Sequence, residues 1–191
     1  KAPTTTVTVS GGSCSGGGTS YQCTATATVA FAVDETAKVY YAQKVGSAPT
    51  VSSRSSYGKA DFSITVTGDE RSTVYLKYYA VDESDNEETP ASISIYYRDV
   101  TPPTSSVTVA AATGTSTTCS QSGTAYECDG ASVATITVNE TASIYYKTGT
   151  GSAPAVSTSD TAYNADVSVS VSVNDTYISF FAQDSAGNAE T

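Results

Sequence analysis

Four cysteines stand in two equally spaced pairs, Cys14 with Cys23 and Cys119 with Cys128, and the chain contains no histidine. A zinc site would want more closely spaced thiols and usually imidazole. In an oxidising compartment each pair would instead close its own short loop. The expected bonds are therefore Cys14–Cys23 and Cys119–Cys128, each stabilising its surroundings by about 2–3 kcal/mol in the chain-entropy view, and they imply secretion. With every thiol committed and no imidazole, neither a Ser-His nor a Cys-His relay can be assembled. Asp34 and Glu35 sit together in a hairpin at a strand end, which does not suit paired-carboxylate hydrolysis across a cleft. No glycine-rich loop leads into a helix. The expectation is a protein that is not an enzyme.

Two acidic turns are the next candidates. Asp82, Asp85, Asn86 and Glu88 crowd hard oxygen ligands into one loop, and Asp184, Asn188 and Glu190 do so again near the end of the sequence. Such a set suits calcium, the one cofactor the sequence could take and none that it requires. The spacing is not that of an EF-hand loop. Asp and Asn side chains capping backbone amides account for the same residues, and this is the preferred reading. Asp85 in one turn and Gly187 in the other point to a shared position with positive φ. Asn139 and Asn174 each open an N-glycosylation sequon. Tyrosines occur in adjacent pairs at 40–41, 78–79, 96–97 and 145–146, joined by Phe180-Phe181. In each pair one ring is expected in the core and one on the surface, where it could meet a sugar or a neighbouring subunit.

The elements that carry these residues are written twice. Cys14 to Cys23 returns as Cys119 to Cys128, and Asp34-Glu-Thr-Ala-Lys-Val-Tyr-Tyr41 returns as Asn139-Glu-Thr-Ala-Ser-Ile-Tyr-Tyr146. Gly46-Ser-Ala-Pro49 returns at 151–154, and Ala80 to Thr89 returns as Ala182 to Thr191. The repeat divides the 191 residues into domains at 1–99 and 100–191, each near the size of a sandwich domain. Apolar residues alternate with polar ones throughout, and no window carries a helical stripe. Strands are expected near 4–10, 24–33, 37–43, 61–67, 73–81 and 91–97, with a short extra one in 50–58. In the second copy they are expected near 104–111, 131–138, 142–148, 166–172 and 176–183. Val39, Tyr41, Ile144 and Tyr146 should face the two cores. The fold class is all-β, two tandem antiparallel sandwiches.

Net charge is −10 and the sequence pI is about 4.2. Phosphate binding needs clustered Lys and Arg, so nucleic acid and anionic membranes are poor partners. No targeting segment or membrane span is read in the sequence, and no membrane insertion is expected. The abrupt start at Lys1 leads us to expect a mature or trimmed form.

Two motifs carry a resemblance. Ala182-Gln-Asp-Ser-Ala-Gly-Asn-Ala-Glu190, with its first-copy version Ala80 to Glu88, and the linker Asp99-Val-Thr-Pro-Pro103 resemble the tandem Ig-like domains of bacterial surface and secreted proteins. The stretch from Ile144 to Pro154 is similar to the C-terminal sandwich module of chitobiases. The resemblance implies Ig-like sandwiches in series, outside the cell.

One asymmetry bears on function. The first copy continues into Ala91-Ser-Ile-Ser-Ile-Tyr-Tyr97, with Ile93, Ile95 and Tyr97 expected on the core face; the second copy has no such segment. Its place should be an open apolar groove and an unpaired edge, which natural proteins rarely leave uncovered. Either the strand is lost at a boundary or a neighbouring molecule supplies it. The segment Thr4–Ser10, with Val7 and Val9, is a candidate donor, although it also reads as its own domain's first strand. The expected function is an extracellular structural protein, a building block of a surface fibre or adhesin stalk joined head to tail to identical subunits or neighbouring repeats. A polysaccharide-binding or spacer module of a secreted enzyme, and a calcium-dependent adhesion repeat, are the alternatives.

Overall fold

The computed structural model describes residues 1–52, 56–59, 61–172 and 176–191. These divide into two compact units, Lys1–Val100 and Thr101–Thr191. The described residues are all-β; no helix long and apolar enough to cross a membrane occurs among them.

In the first unit the strands are β1 (Thr5–Ser10), β2 (Ser15–Gly17), β3 (Ser20–Cys23), β4 (Ala27–Val33), β5 (Ala37–Val45), β6 (Ser56–Lys59), β7 (Phe62–Val66), β8 (Thr73–Asp82) and β9 (Ala91–Tyr97). They form a three-stranded sheet, β1-β4-β7, and a six-stranded sheet, β2-β3-β9-β8-β5-β6. Alternation turns one face of each sheet inward. Val29, Phe31 and Val66 from the first meet Val39, Leu76, Ala80, Ile93, Ile95 and Tyr97 from the second in one buried cluster. This is the arrangement of a β-sandwich.

The second unit contains β10 (Ser105–Ala111), β11 (Cys119–Ser122), β12 (Ala125–Cys128), β13 (Ser132–Val138), β14 (Ala142–Thr150), β15 (Ala162–Tyr163), β16 (Val167–Val171) and β17 (Thr176–Asp184). Its sheets are β10-β13-β16, β15-β14-β17 and the isolated hairpin β11-β12. Strand order repeats that of the first unit wherever a counterpart exists. Val39 and Ile144 are buried, and Tyr41 and Tyr146 pack half-buried against their cores.

Three features depart from the sequence reading. The cysteine loops are hairpins, β2-β3 and β11-β12, rather than coil. One pair, β3 with β9, is parallel. Tyr79, expected on the surface as the partner of core-facing Tyr78, is buried as well. It stacks on Tyr40 with ring centroids 5.3 Å apart, so two outward rings cover each other.

Both expected disulfides are present, Cys14–Cys23 and Cys119–Cys128. The second joins directly opposed residues at the base of its hairpin. Replacing Cys119 and Cys128 by serine should lower stability by about 2–3 kcal/mol. Chemical denaturation compared with the unmodified chain measures this. A loss below about 0.5 kcal/mol would mean that the hairpin holds itself together without the bond.

Candidate functional site

The site is best defined by what fills it in the first unit. There β9 lies between the hairpin and β8. It runs antiparallel to β8, setting Ile93 opposite Leu76 and Ile95 opposite Val74. It runs parallel to β3, setting Ile95 beside Tyr21 and Tyr97 beside Cys23. Ile93, Ile95 and Tyr97 are all buried. The Tyr97 hydroxyl donates to the Val66 carbonyl at 2.5 Å, and burial pushes that phenol above its ordinary range. Gly68 leaves room for the ring: a Cβ there would come within 2.5 Å of it.

In the second unit, no described strand occupies this position. The six-stranded sheet is reduced to a two-stranded and a three-stranded piece, with β12 and β17 as the facing edges. The side chains register the loss. Leu76 and Val66 are completely buried, whereas their counterparts Ile178 and Val171 are half-buried. Phe180 is half-buried where Tyr78 is buried. The buried cluster shrinks to Ala134, Ile136, Ile144, Val167 and Val169, with Ala182 buried as well.

Both walls are nevertheless held. The Tyr126 hydroxyl donates to the Val107 carbonyl and ties β12 to β10. Asp129 accepts from the amide and the hydroxyl of Thr118, closing the hairpin base. On the other side β17 is paired with β14 along its whole length. A cavity of about 390 Å³ lies against the base of the hairpin, lined by Thr118, Cys119 and Ser120 on one side and Glu127, Cys128 and Asp129 on the other. Another of about 300 Å³ lies among the ends of β14 and β16 and the start of β17, at residues 148–150, 170–172 and 176. In the first unit the residues matching Glu127, Cys128 and Thr176 pair with β9, and the one matching Val171 accepts the Tyr97 hydroxyl.

The strand-donor candidates are engaged elsewhere. Val7 and Val9 lie in β1, in register with Phe31 and Val29 of β4. Ile93 and Ile95 are core residues of their own unit.

The acidic turns are built from the inside. Asp82 accepts from the amides of Ser84 and Asn86 at 2.8 and 2.9 Å and from the Asn86 side chain at 2.7 Å. Asp184 treats Ala186 and Asn188 the same way. Asp85 and Gly187 share the left-handed position, at φ 60° and 91°. Glu88 reaches back to the first strand instead, accepting from the Thr5 amide and hydroxyl and from the Ala80 amide. Glu190 does so with Ser105 and Ala182. The arrangement fastens each turn and each first strand.

The Asn86 side chain, and then its amide, hold the Asp82 carboxyl below the usual range. The Thr118 amide and hydroxyl do the same for Asp129, the Thr4 amide and then Lys1 for Asp34, and Lys147 and then the Ser157 amide for Asp160. A carboxyl with a depressed folded-state pKa stabilises above its unfolded pKa, and that contribution fades as pH falls through the folded value. Melting temperature should therefore hold from neutral pH down to about pH 4 and drop below it. Asp82→Asn combined with Asp129→Asn should flatten the drop. An unchanged acid limb in that variant would mean that other groups set it.

Of the sequons, Asn139 is exposed, and its side-chain oxygen accepts from the Thr104 amide at 2.7 Å; Asn174 lies outside the described residues. Sequence reasoning missed the β12 edge, Tyr126 to Cys128. A tyrosine alternating with the second cysteine of each pair was the available signal. No family model matches the chain, and no curated protein or solved structure matches it either.

Proposed function

We propose that the protein is a non-enzymatic extracellular structural element, two Ig-like sandwiches in series that build a surface fibre or stalk by strand addition between neighbouring molecules. The observation that supports this is that no described strand pairs with the outer edges of β12 and β17, with apolar Ile178 and Phe180 half-buried beside them. A sheet edge over an apolar groove favours pairing with another chain. An interface of that kind is heterologous, so it propagates into filaments rather than closing. The two disulfides suit an oxidising, extracellular setting. The acidic charge keeps such units soluble at high local concentration.

Concentrated protein should form filaments visible by negative-stain electron microscopy. A monodisperse monomer at high concentration, with the second unit melting cooperatively, would refute the fibre reading. A second reading, a glycan-binding module, has one observation in its favour. Tyr40–Tyr79 and Tyr145–Phe181 stack at matching places in the two units, and aromatic faces suit sugar rings. Retention on insoluble polysaccharide, abolished by Tyr40→Ala and Tyr145→Ala, would support it.

A further inference from the structure

We infer that the outer face of the six-stranded sheet in the first unit is a binding surface for an acidic polysaccharide, one whose sugars carry carboxylates. This rests on the glycan-binding reading above and adds the face and the class of glycan.

The face consists of what turns away from the core. Val39, Leu76 and Ile95 are buried, so their neighbours along β5, β8 and β9 point outward. Register sets those neighbours in rows across the sheet. Lys38 lies opposite Val81, and Tyr40 opposite Tyr79. Ala42, Lys77 and Ser92 make the next row, followed by Lys44, Tyr75 and Ser94. Tyr96 ends the series opposite Thr73. Cations and rings are therefore interleaved from Lys38 to Tyr96. Along β5 the span from Lys38 to Lys44 is about 20 Å, the length of several sugars. Lys38, Lys44 and Tyr96 are exposed, and Tyr40, Tyr75 and Lys77 half-buried.

Charge selects the ligand. The chain has 19 acidic residues against nine basic ones. Yet among the described residues no outward position of β5, β8 or β9 is Asp or Glu. Glu87 borders the face, bridged to Val81. An acidic protein that gathers lysines on one face, and keeps carboxylates off it, presents that face to an anion. The rings decide what kind of anion. The negative face of an aromatic ring attracts the C–H groups on one side of a sugar, while a lysine beside the ring reaches a carboxylate at the sugar's rim. A protein partner fits less well, because interface centres are depleted of lysine and Lys77 stands in the middle row. Nucleic acid, charged at every phosphate, meets the repulsion of the remaining acidic surface.

The second unit sharpens the assignment. Its matching strands keep rings at Tyr145, Tyr177 and Phe181. Ser143, Gly149 and Ser179 stand where the first unit has Lys38, Lys44 and Lys77. Lys147, at the Ala42 position, is paired with Asp160 at 2.8 Å. The rings recur without the three lysines, so selectivity for an acidic glycan belongs to the first unit.

Affinity electrophoresis of the intact chain, in gels containing polygalacturonate or a neutral galactan, tests this, each variant being first checked for its β-sheet circular dichroism. Polygalacturonate should retard the chain, and less so as salt rises. Lys77→Glu removes an attraction and adds a repulsion, and should weaken retention about tenfold. Tyr75→Ala should weaken it as well. Lys1→Glu, the same charge change off this face, should leave it unaltered; an equal loss there would overturn the proposal in favour of net charge. Equal retardation by the neutral galactan, lost in Tyr40→Ala but not in Lys77→Glu, would overturn the acidic assignment and leave the glycan-binding reading standing. Retardation by neither polymer would overturn both. Salt-sensitive self-association abolished by Lys77→Glu, with neither polymer retained, would give the face to a second copy of this chain instead.

Discussion

Replacing Phe31 with alanine is expected to unfold the first unit at temperatures where the second still holds. Phe31 is almost wholly buried at the centre of the first sandwich. Its ring stacks on Phe62 at 4.8 Å, meets Tyr78 edge-on at 5.5 Å and lies 5.8 Å from Tyr41. Truncation removes the largest fully buried side chain of the molecule's described residues and leaves three rings without their common neighbour. Buried Phe→Ala changes cost about 3–5 kcal/mol, a large share of the total stability of a small domain. Ile136 is the matching residue of the second unit and is also completely buried. Ile136→Val removes one methyl and should cost only about 0.5–1.5 kcal/mol. Urea denaturation followed by circular dichroism would show the first transition moving far and the second slightly. A Phe31→Ala loss under about 1 kcal/mol would place that ring outside the core.

The second large effect is expected at a pair of glutamates. Glu88→Ala and Glu190→Ala should each destabilise their own unit by about 2–4 kcal/mol, because each strands two backbone N–H groups that a charged acceptor had satisfied. For Glu88 these belong to Thr5 and Ala80; for Glu190 they belong to Ser105 and Ala182. Glu→Gln should recover only part of the loss, since its amide nitrogen turns a donor toward donors. Glu87→Ala, at an exposed neighbour, serves as the control and should stay within about 0.5 kcal/mol. Equal stabilities for Glu87→Ala and Glu88→Ala would show that the carboxylate clamp contributes nothing.

The glutamate clamps also show what the sequence could and could not reveal. Glu88 and Glu190 stood out as oxygen ligands crowded beside Asp and Asn, and local crowding favoured a cation or a turn. Their true partners, Thr5 and Ser105, lie about a whole domain away in sequence, and no spacing rule reaches that far. Strands were legible for the opposite reason: alternation is local, so β4, β5, β7, β8 and their repeats could be read within a few residues. The left-handed position at Asp85 and Gly187 was visible because a glycine in one copy explained an aspartate in the other. The hairpins at the cysteines escaped, since glycines and serines carry no alternation strong enough to mark strands as short as β2. The open position itself came from comparing the two copies. Its second wall did not, because parallel pairing between β3 and β9 joins segments from opposite ends of the unit.

That parallel pairing has a consequence for how the molecule is made. On a ribosome β3 emerges early and β9 last among the strands of its unit, so the inner edge of the first hairpin must wait for its neighbour. At about 5–20 residues per second the wait is on the order of several seconds. Pairing across so long a stretch of chain is the slow kind. Until it happens, β3 and β8 of the nascent first unit lack the strand that comes to lie between them, and any strand of the right pattern nearby competes for that position.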